Sequence, residues 1–352
     1  MSELLGAHLV GSINLPNAET VMRAAAELLG PHLARIPDGE VGERFHWIAF
    51  QPDRLAGAAG LERVGAEPIV VAGLDVRPLR IADGVDPDAI ELPPLGYADA
   101  ATGSWQTFQL LQSEGVIAPG TRFQVSLPTP AAVVGAFIAR EDRERFEPVY
   151  RRALYGELQR VVELVPAERL AIQWDTAVEF GFIEAAGYAK NNEQNDPWFD
   201  DVWSGVIDRA VDQAAQVPEG VQLGFHLCYG DIAEKHFVEP GDTANLVRFA
   251  TELLDRAPRR VDWLHMPVPI ERDDDAYYAP LGDLALPAGT DLYLGLMHRE
   301  DLVEGALRRI AVAQRYVDRF GVATECGFGR APASATEPLF RAHAEVVEAS
   351  RG

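Results

Sequence analysis

An α/β chain folded as a single (β/α)8 TIM barrel is what this sequence predicts. Three observations carry the prediction: eight short apolar runs ending in polar or small residues, stretches of helical period between them, and no glycine-rich phosphate loop after any run. A loop of that kind would have favoured the main rival, a doubly wound open sheet. The runs read as buried strands are AHLVGS (7 to 12), LARIPD (33 to 38), RFQVSLP (122 to 128), LAIQWD (170 to 175), VQLGFHLC (221 to 228), VDWLHMP (261 to 267), DLYLGLMH (291 to 298) and FGVATECG (320 to 327). Between them, AETVMRAAAELLG ends on a glycine stop. REDRERFEPVYRRALYGELQRVVELV, FDDVWSGVIDRAVDQAAQV, GDTANLVRFATELLDRA and REDLVEGALRRIAVAQRYVDRF repeat the helical period.

Two stretches exceed ordinary barrel loops, residues 52 to 120 after the second strand and 180 to 203 after the fourth. The first reads as a strand or hairpin, a proline-rich turn and a helix; the second has a polar centre flanked by aromatics. Both are expected to wall the barrel mouth, with Trp105, Trp198 and Trp203 near a bound ligand, inside one domain spanning 1 to 352.

Composition narrows the setting. At 352 residues and 47% hydrophobic, the chain can bury a large core. It has no apolar run of eighteen or more, and its first residues lack the basic head and long apolar stretch of a signal peptide, so a cytoplasmic location is expected. A formal net charge of -23 repels phosphate backbones and anionic lipid, which argues against nucleic-acid and membrane partners. Oligomeric state is left open. The two cysteines are expected to be free thiols or metal ligands.

One of them lies in GFHLCYG. Residues two apart on a strand share a face, so His226 and Cys228 project inward at the end of the fifth strand, and Cys326 ends the eighth at the same level. One imidazole and two thiolates form a strong zinc set, whereas an isolated H-x-C is more often a pair of core residues. Both cysteines falling at strand ends in one expected mouth favours the metal.

The segments HLCYGD and ATECGFGR resemble the zinc-binding segments of the cobalamin-independent methionine synthase family, in its catalytic C-terminal barrel. LVGSINLP, PDGEVGERFHWIAF, LAIQWDTAVEFGF and LYLGLMHRED resemble further segments of that family in the same order. The wider superfamily includes the uroporphyrinogen decarboxylases, which need no metal and hold an anionic porphyrin with arginines. The resemblance implies that His226, Cys228 and Cys326 ligate Zn2+. It also implies that Ser12, Glu40 and Asp175 hold the amino-acid end of a homocysteine-like thiol, and that His298, with Asp175 as the other catalytic residue, protonates the leaving group of the methyl donor. Where the family has a glutamate ligand, this chain has His265, expected as the fourth ligand. That exchange raises the charge of the ligand set by one.

The resulting expectation is a zinc-dependent methyl or alkyl transferase with a small-molecule thiol and an alkyl donor (folate, corrinoid or another) as partners. The alternatives are zinc-hydroxide hydrolysis or lyase chemistry, addition of coenzyme M thiolate to epoxides on the same scaffold, and a noncatalytic ligand-binding barrel.

Overall fold

In the computed structural model, residues 3 to 184, 196 to 230, 236 and 238 to 351 are described. Eight parallel strands form the barrel: β1 (Ala7–His8), β2 (Arg35–Pro37), β3 (Arg122–Pro128), β4 (Leu170–Thr176), β5 (Gln222–Leu227), β6 (Trp263–Pro267), β7 (Asp291–Met297) and β8 (Gly321–Thr324). They pair in the order β1-β8-β7-β6-β5-β4-β3-β2, and a parallel bridge from Ala7 to Leu33 joins the first to the second. Each strand lies within one of the apolar runs except β4, which passes the end of its run by Thr176. Runs without polar alternation are what a sheet covered on both faces requires, and β4 is buried at every position.

β1 is the shortest strand because its chain turns out of the ladder after His8. The carbonyls of Leu9 and Val10 then point inward. They accept from Gln124 Nε2 at 3.0 and 3.1 Å, and Val10 also from Gln173 Nε2 at 2.6 Å, so both carbonyls that leave the ladder keep a partner. At the opposite end the barrel is plugged. The Arg35 guanidinium lies 4.0 Å from the Trp263 ring centroid and bonds Gln222 and the Tyr293 hydroxyl, all from the starts or lower halves of strands. Chemistry is thereby confined to the C-terminal mouth.

Long helices cover the outside. In Ala244–Arg256 the buried positions Leu246, Val247, Phe249, Ala250 and Leu253 form one stripe, each large side chain contributing roughly 1.5–3 kcal/mol on burial. The closing helix Thr336–Ala349 buries Leu339, Phe340, Val346 and Val347 in the same manner, and is absent from the helical stretches read in the sequence. Only a short turn of helix, Asp275–Tyr278, and a 3-10 segment separate β6 from β7.

The long segment between β2 and β3 holds two small antiparallel hairpins, Leu61–Arg63 with Leu79–Ile81 and Val70–Val71 with Leu74–Asp75, followed by the helix Tyr97–Ser113. Trp105 takes a different place from the expected one. Trp105 stacks on Phe108 and Phe123 with Arg169 across its ring, beside the starts of β3 and β4 and away from the mouth. Trp198 packs against Phe182 and bonds Glu147, and Trp203 lies under the Arg248 guanidinium. These rings join outer elements because their apolar area is large enough to seal helix contacts. Residues 185 to 195 of the second insertion lie outside the described residues. Among the described residues no helix is long and apolar enough to cross a membrane.

Candidate functional site

Two groups of side chains meet at the mouth. The first comes from β5, β6 and the turn after β8. His226 Nε2, Cys228 Sγ and Cys326 Sγ lie within 4.8 Å of one another, with 3.7 Å between the sulfurs and 3.6 Å from Cys326 Sγ to His226 Nε2. His226 is an inward position of β5; Cys228 follows the strand's end, where its N–H donates to the Thr176 carbonyl at 3.1 Å. The Thr324 hydroxyl donates to the Cys326 carbonyl at 2.7 Å and holds that turn. The Gly230 N–H donates to Cys228 Sγ at 3.3 Å. One imidazole and two sulfurs at this spacing fit a tetrahedral zinc ion with one position left open.

His265 sits directly opposite His226 in the β5–β6 ladder. The sequence reading makes it a fourth ligand, but both of its ring nitrogens are engaged elsewhere. Nδ1 is 2.7 Å from His226 Nδ1, and Nε2 donates to the Thr324 carbonyl at 3.0 Å. It is not one of the clustered donors; it stands behind His226. Burial lowers the pKa of His226 well below that of a free histidine, helped by His265 and His8, and burial takes His265 down to about 4. Both rings are therefore neutral near pH 7, the state in which imidazole binds metal.

The second group is acidic and comes from β1, β2 and β4. Glu40 and Asp175 are buried carboxylates close enough to perturb each other. Burial raises Glu40 to about 7, with Asp38 adding to the rise and Arg44 and Arg330 opposing it. Burial, Glu40 and Cys326 raise Asp175 well above the carboxylate range, against hydrogen bonds from Gln173, at 2.9 Å, and Trp47. Asp38 behaves oppositely: burial pushes it up, but Arg44 at 2.6 Å, Ser104 at 2.7 Å and the Glu40 N–H at 3.0 Å more than offset this and hold it below the usual range.

The loop after β2 is bent to deliver these groups. Glu40 has φ 50° and Trp47 φ 54°, left-handed conformations that cost non-glycine residues about 1–3 kcal/mol each. Gly11 leaves room for the Glu40 carboxylate, since a Cβ there would lie 2.8 Å from its Oε1. Ser12 is packed against the segment after Cys326: its Oγ accepts from the Gly329 N–H at 3.3 Å, and a Cβ on Gly327 would come within 2.3 Å of that oxygen.

His298 follows β7. Its Nε2 donates to the Val268 carbonyl at 2.9 Å, and burial, with Arg309 adding, lowers its pKa to about 4. His236, in the loop after β5, bonds Glu325 at 2.9 Å and Glu239 at 3.0 Å. These partners outweigh its burial and raise it to about 9. Trp47 and His236 were not singled out in the sequence. Their only signal was position, an aromatic after the second strand and a histidine after the fifth, in loops that a barrel places at its mouth.

Fold and site thus define a (β/α)8 barrel with a His-Cys-Cys donor cluster beside a buried carboxylate pair. The sequence matches no family model and no curated protein. Solved structures share the fold, two of them as follows. The putative vitamin-B12 independent methionine synthase from Listeria monocytogenes is 15% identical, with a TM-score of 0.59 over 100% of this chain and 99% of that one. A methyltransferase from Methanosarcina mazei is 12% identical, with a TM-score of 0.56 over 98% and 94% of the two chains.

Proposed function

We propose that this chain is a zinc-dependent enzyme that transfers a methyl or similar alkyl group to a small amino thiol such as homocysteine, within one barrel domain. The observation that carries this reading is the placement of three soft and borderline donors, His226, Cys228 and Cys326, at one barrel mouth with Glu40 and Asp175. The names borne by the two structural neighbours agree with it.

When bound, zinc at this site supplies the positive charge that keeps a substrate thiol ionised near neutral pH. The remaining work falls to the protein. His226, Cys228 and Cys326 would hold the ion, and three protein donors would leave room for the acceptor sulfur beside them. Burial and mutual repulsion make Glu40 and Asp175 retain a proton when the mouth is empty, so an ammonium placed between them takes over that role and fixes the orientation of the acceptor. Ser12, beside them, is assigned to the acceptor's carboxylate. His298 is assigned to the donor side as the leaving-group acid. The acceptor thiol gives up one proton on ionising and the leaving group takes up one, so an imidazole that is neutral when the mouth is empty serves by passing that proton on. Binding two substrates in one orientation supplies much of the rate.

The test is metal content together with product analysis. The purified protein should hold about one zinc per chain and convert a methyl donor and homocysteine to the thioether; Cys228→Ser should lose both properties. Zinc-independent activity, or a zinc protein that hydrolyses esters or amides but alkylates no thiol, would overturn the proposal.

A further inference from the structure

We propose that His265 is a positioning residue. It takes a hydrogen bond from His226 and passes it to the backbone, and so fixes His226 in the tautomer that presents a bare Nε2 to the metal. The inference rests on the metal reading above for its purpose, but its geometry belongs to the protein alone.

A carbonyl oxygen can only accept, so the 3.0 Å contact to Thr324 requires that His265 carry its proton on Nε2. A neutral imidazole has one N–H, and with that proton committed to Thr324 its Nδ1 is left as an acceptor. Among the described residues the group facing that Nδ1, at 2.7 Å, is His226 Nδ1, which must then hold the proton of the second ring. His226 Nε2 is left as a lone pair, and it is the atom 3.6 Å from Cys326 Sγ within the donor cluster. One consistent direction of donation therefore runs from His226 through His265 to Thr324.

The register explains why this arrangement is stable. His226 and His265 are paired positions on adjacent parallel strands, and both rings are almost fully buried. An unpaired ring N–H in this interior would cost about 1–3 kcal/mol, so the reversed tautomer of His265, which would leave the Thr324 carbonyl facing a lone pair, is disfavoured. Thr324 lies on the same strand end that supplies Cys326, and its hydroxyl holds the Cys326 carbonyl. One strand terminus thus anchors one ligand directly and orients another through two rings. Metal-bound histidines generally pass their second N–H to a carboxylate, carbonyl or water. Here another histidine occupies that place, so a neutral intermediary replaces an anionic one.

The experiment uses the full chain with 15N-labelled histidine, kept reduced, and long-range 1H–15N spectra that read the protonation of every ring nitrogen. In the metal-free protein, His226 is expected as the Nδ1–H tautomer and His265 as the Nε2–H tautomer. On adding zinc, only His226 Nε2 should move to a metal-bound shift, and both His265 nitrogens should keep their metal-free shifts. Finding His226 as Nε2–H in the metal-free protein, or a His265 nitrogen moving to a metal-bound shift, overturns the proposal. A protein that binds no zinc but shows the stated tautomers retains the relay and removes the metal reading. As a second arm, His265→Leu should weaken zinc by roughly 10- to 100-fold, and His265→Gln, whose amide can accept from one neighbour and donate to the other, should recover most of it. Equal affinity in the leucine variant and the native protein would also overturn the assignment.

Discussion

The two halves of the mouth solve opposite electrostatic problems. The half built on β5, β6 and β8 is neutral and paired before any ligand arrives: His226 and His265 are uncharged, their facing nitrogens are matched, and a backbone N–H waits at Cys228 Sγ. The half built on β1, β2 and β4 is unresolved when empty. It buries Glu40 beside Asp175, holds both above the carboxylate range, and bends the loop after β2 into two left-handed residues to do so. The difference indicates where binding energy is stored. Under the function proposed above, the sulfur half is preorganised for a resident metal ion, whereas the carboxylate half gains stability when a cationic substrate enters.

The sharpest way to separate the halves is to remove a sulfur. Cys326→Ser should lower zinc affinity by more than about 100-fold, beyond the range of an orienting contact, while Glu40→Gln leaves stoichiometric zinc in place. Metal analysis after dialysis against a weak chelator reads both. Next in size, Arg44→Ala strands the Asp38 carboxylate inside the protein and should cost about 3–5 kcal/mol of stability, with zinc affinity in the folded protein unchanged. Urea unfolding of the metal-free chain measures it. A loss below 1 kcal/mol would mean that Asp38 is not held by this pair.

Glu40 gives a pH signature. Its folded pKa, about 7, lies above the ordinary glutamate value, so folding favours the protonated form. The stability this provides is fully present below the ordinary value and is lost as pH rises through about 7. Glu40→Gln should flatten that dependence and make the metal-free protein more stable at pH 8 than the native chain, by up to about 3 kcal/mol. A native melting temperature that rises steadily from pH 5 to pH 8 would contradict the sign. The smallest effect concerns the substrate. Replacing homocysteine by its desamino analogue should weaken binding by roughly 10- to 100-fold, as expected for one lost charge-assisted hydrogen bond of about 1.5–3 kcal/mol. The loss should vanish in Glu40→Gln/Asp175→Asn.

Much of this was legible in the sequence because burial on two faces leaves an unmistakable record. RFQVSLP and LAIQWD are continuous apolar runs, and the structure places β3 on the first and β4 across the second with one residue added. H-x-C at a strand end was legible for the same reason, since strand alternation fixes which side chains share a face. What escaped depended on contacts between distant segments. No local pattern tells that Leu9 and Val10 leave the ladder to be satisfied by Gln124 and Gln173, and the helix Thr336–Ala349 was passed over in the tail. Most instructive is His265. Alignment with a glutamate position suggested a ligand, but its 2.7 Å contact with His226 depends on the pairing of β5 with β6, which the chain's own pattern does not specify residue by residue. Trp105 was misplaced for a related reason: insertion length pointed to a wall, but aromatic rings go where they cover the most apolar area.

The central claim is that the sulfur half holds a metal with one position open to a substrate thiol. Cobalt(II) in place of zinc makes this visible, because each thiolate bound to cobalt adds sulfur-to-metal charge-transfer absorption. The cobalt protein alone should show the band of two thiolates with the visible spectrum of a tetrahedral ion. Adding homocysteine should increase that band by about half, in a saturable manner and at one equivalent per chain. A charge-transfer band that homocysteine leaves unchanged at saturating concentration, or a cobalt protein without such a band, would contradict the account.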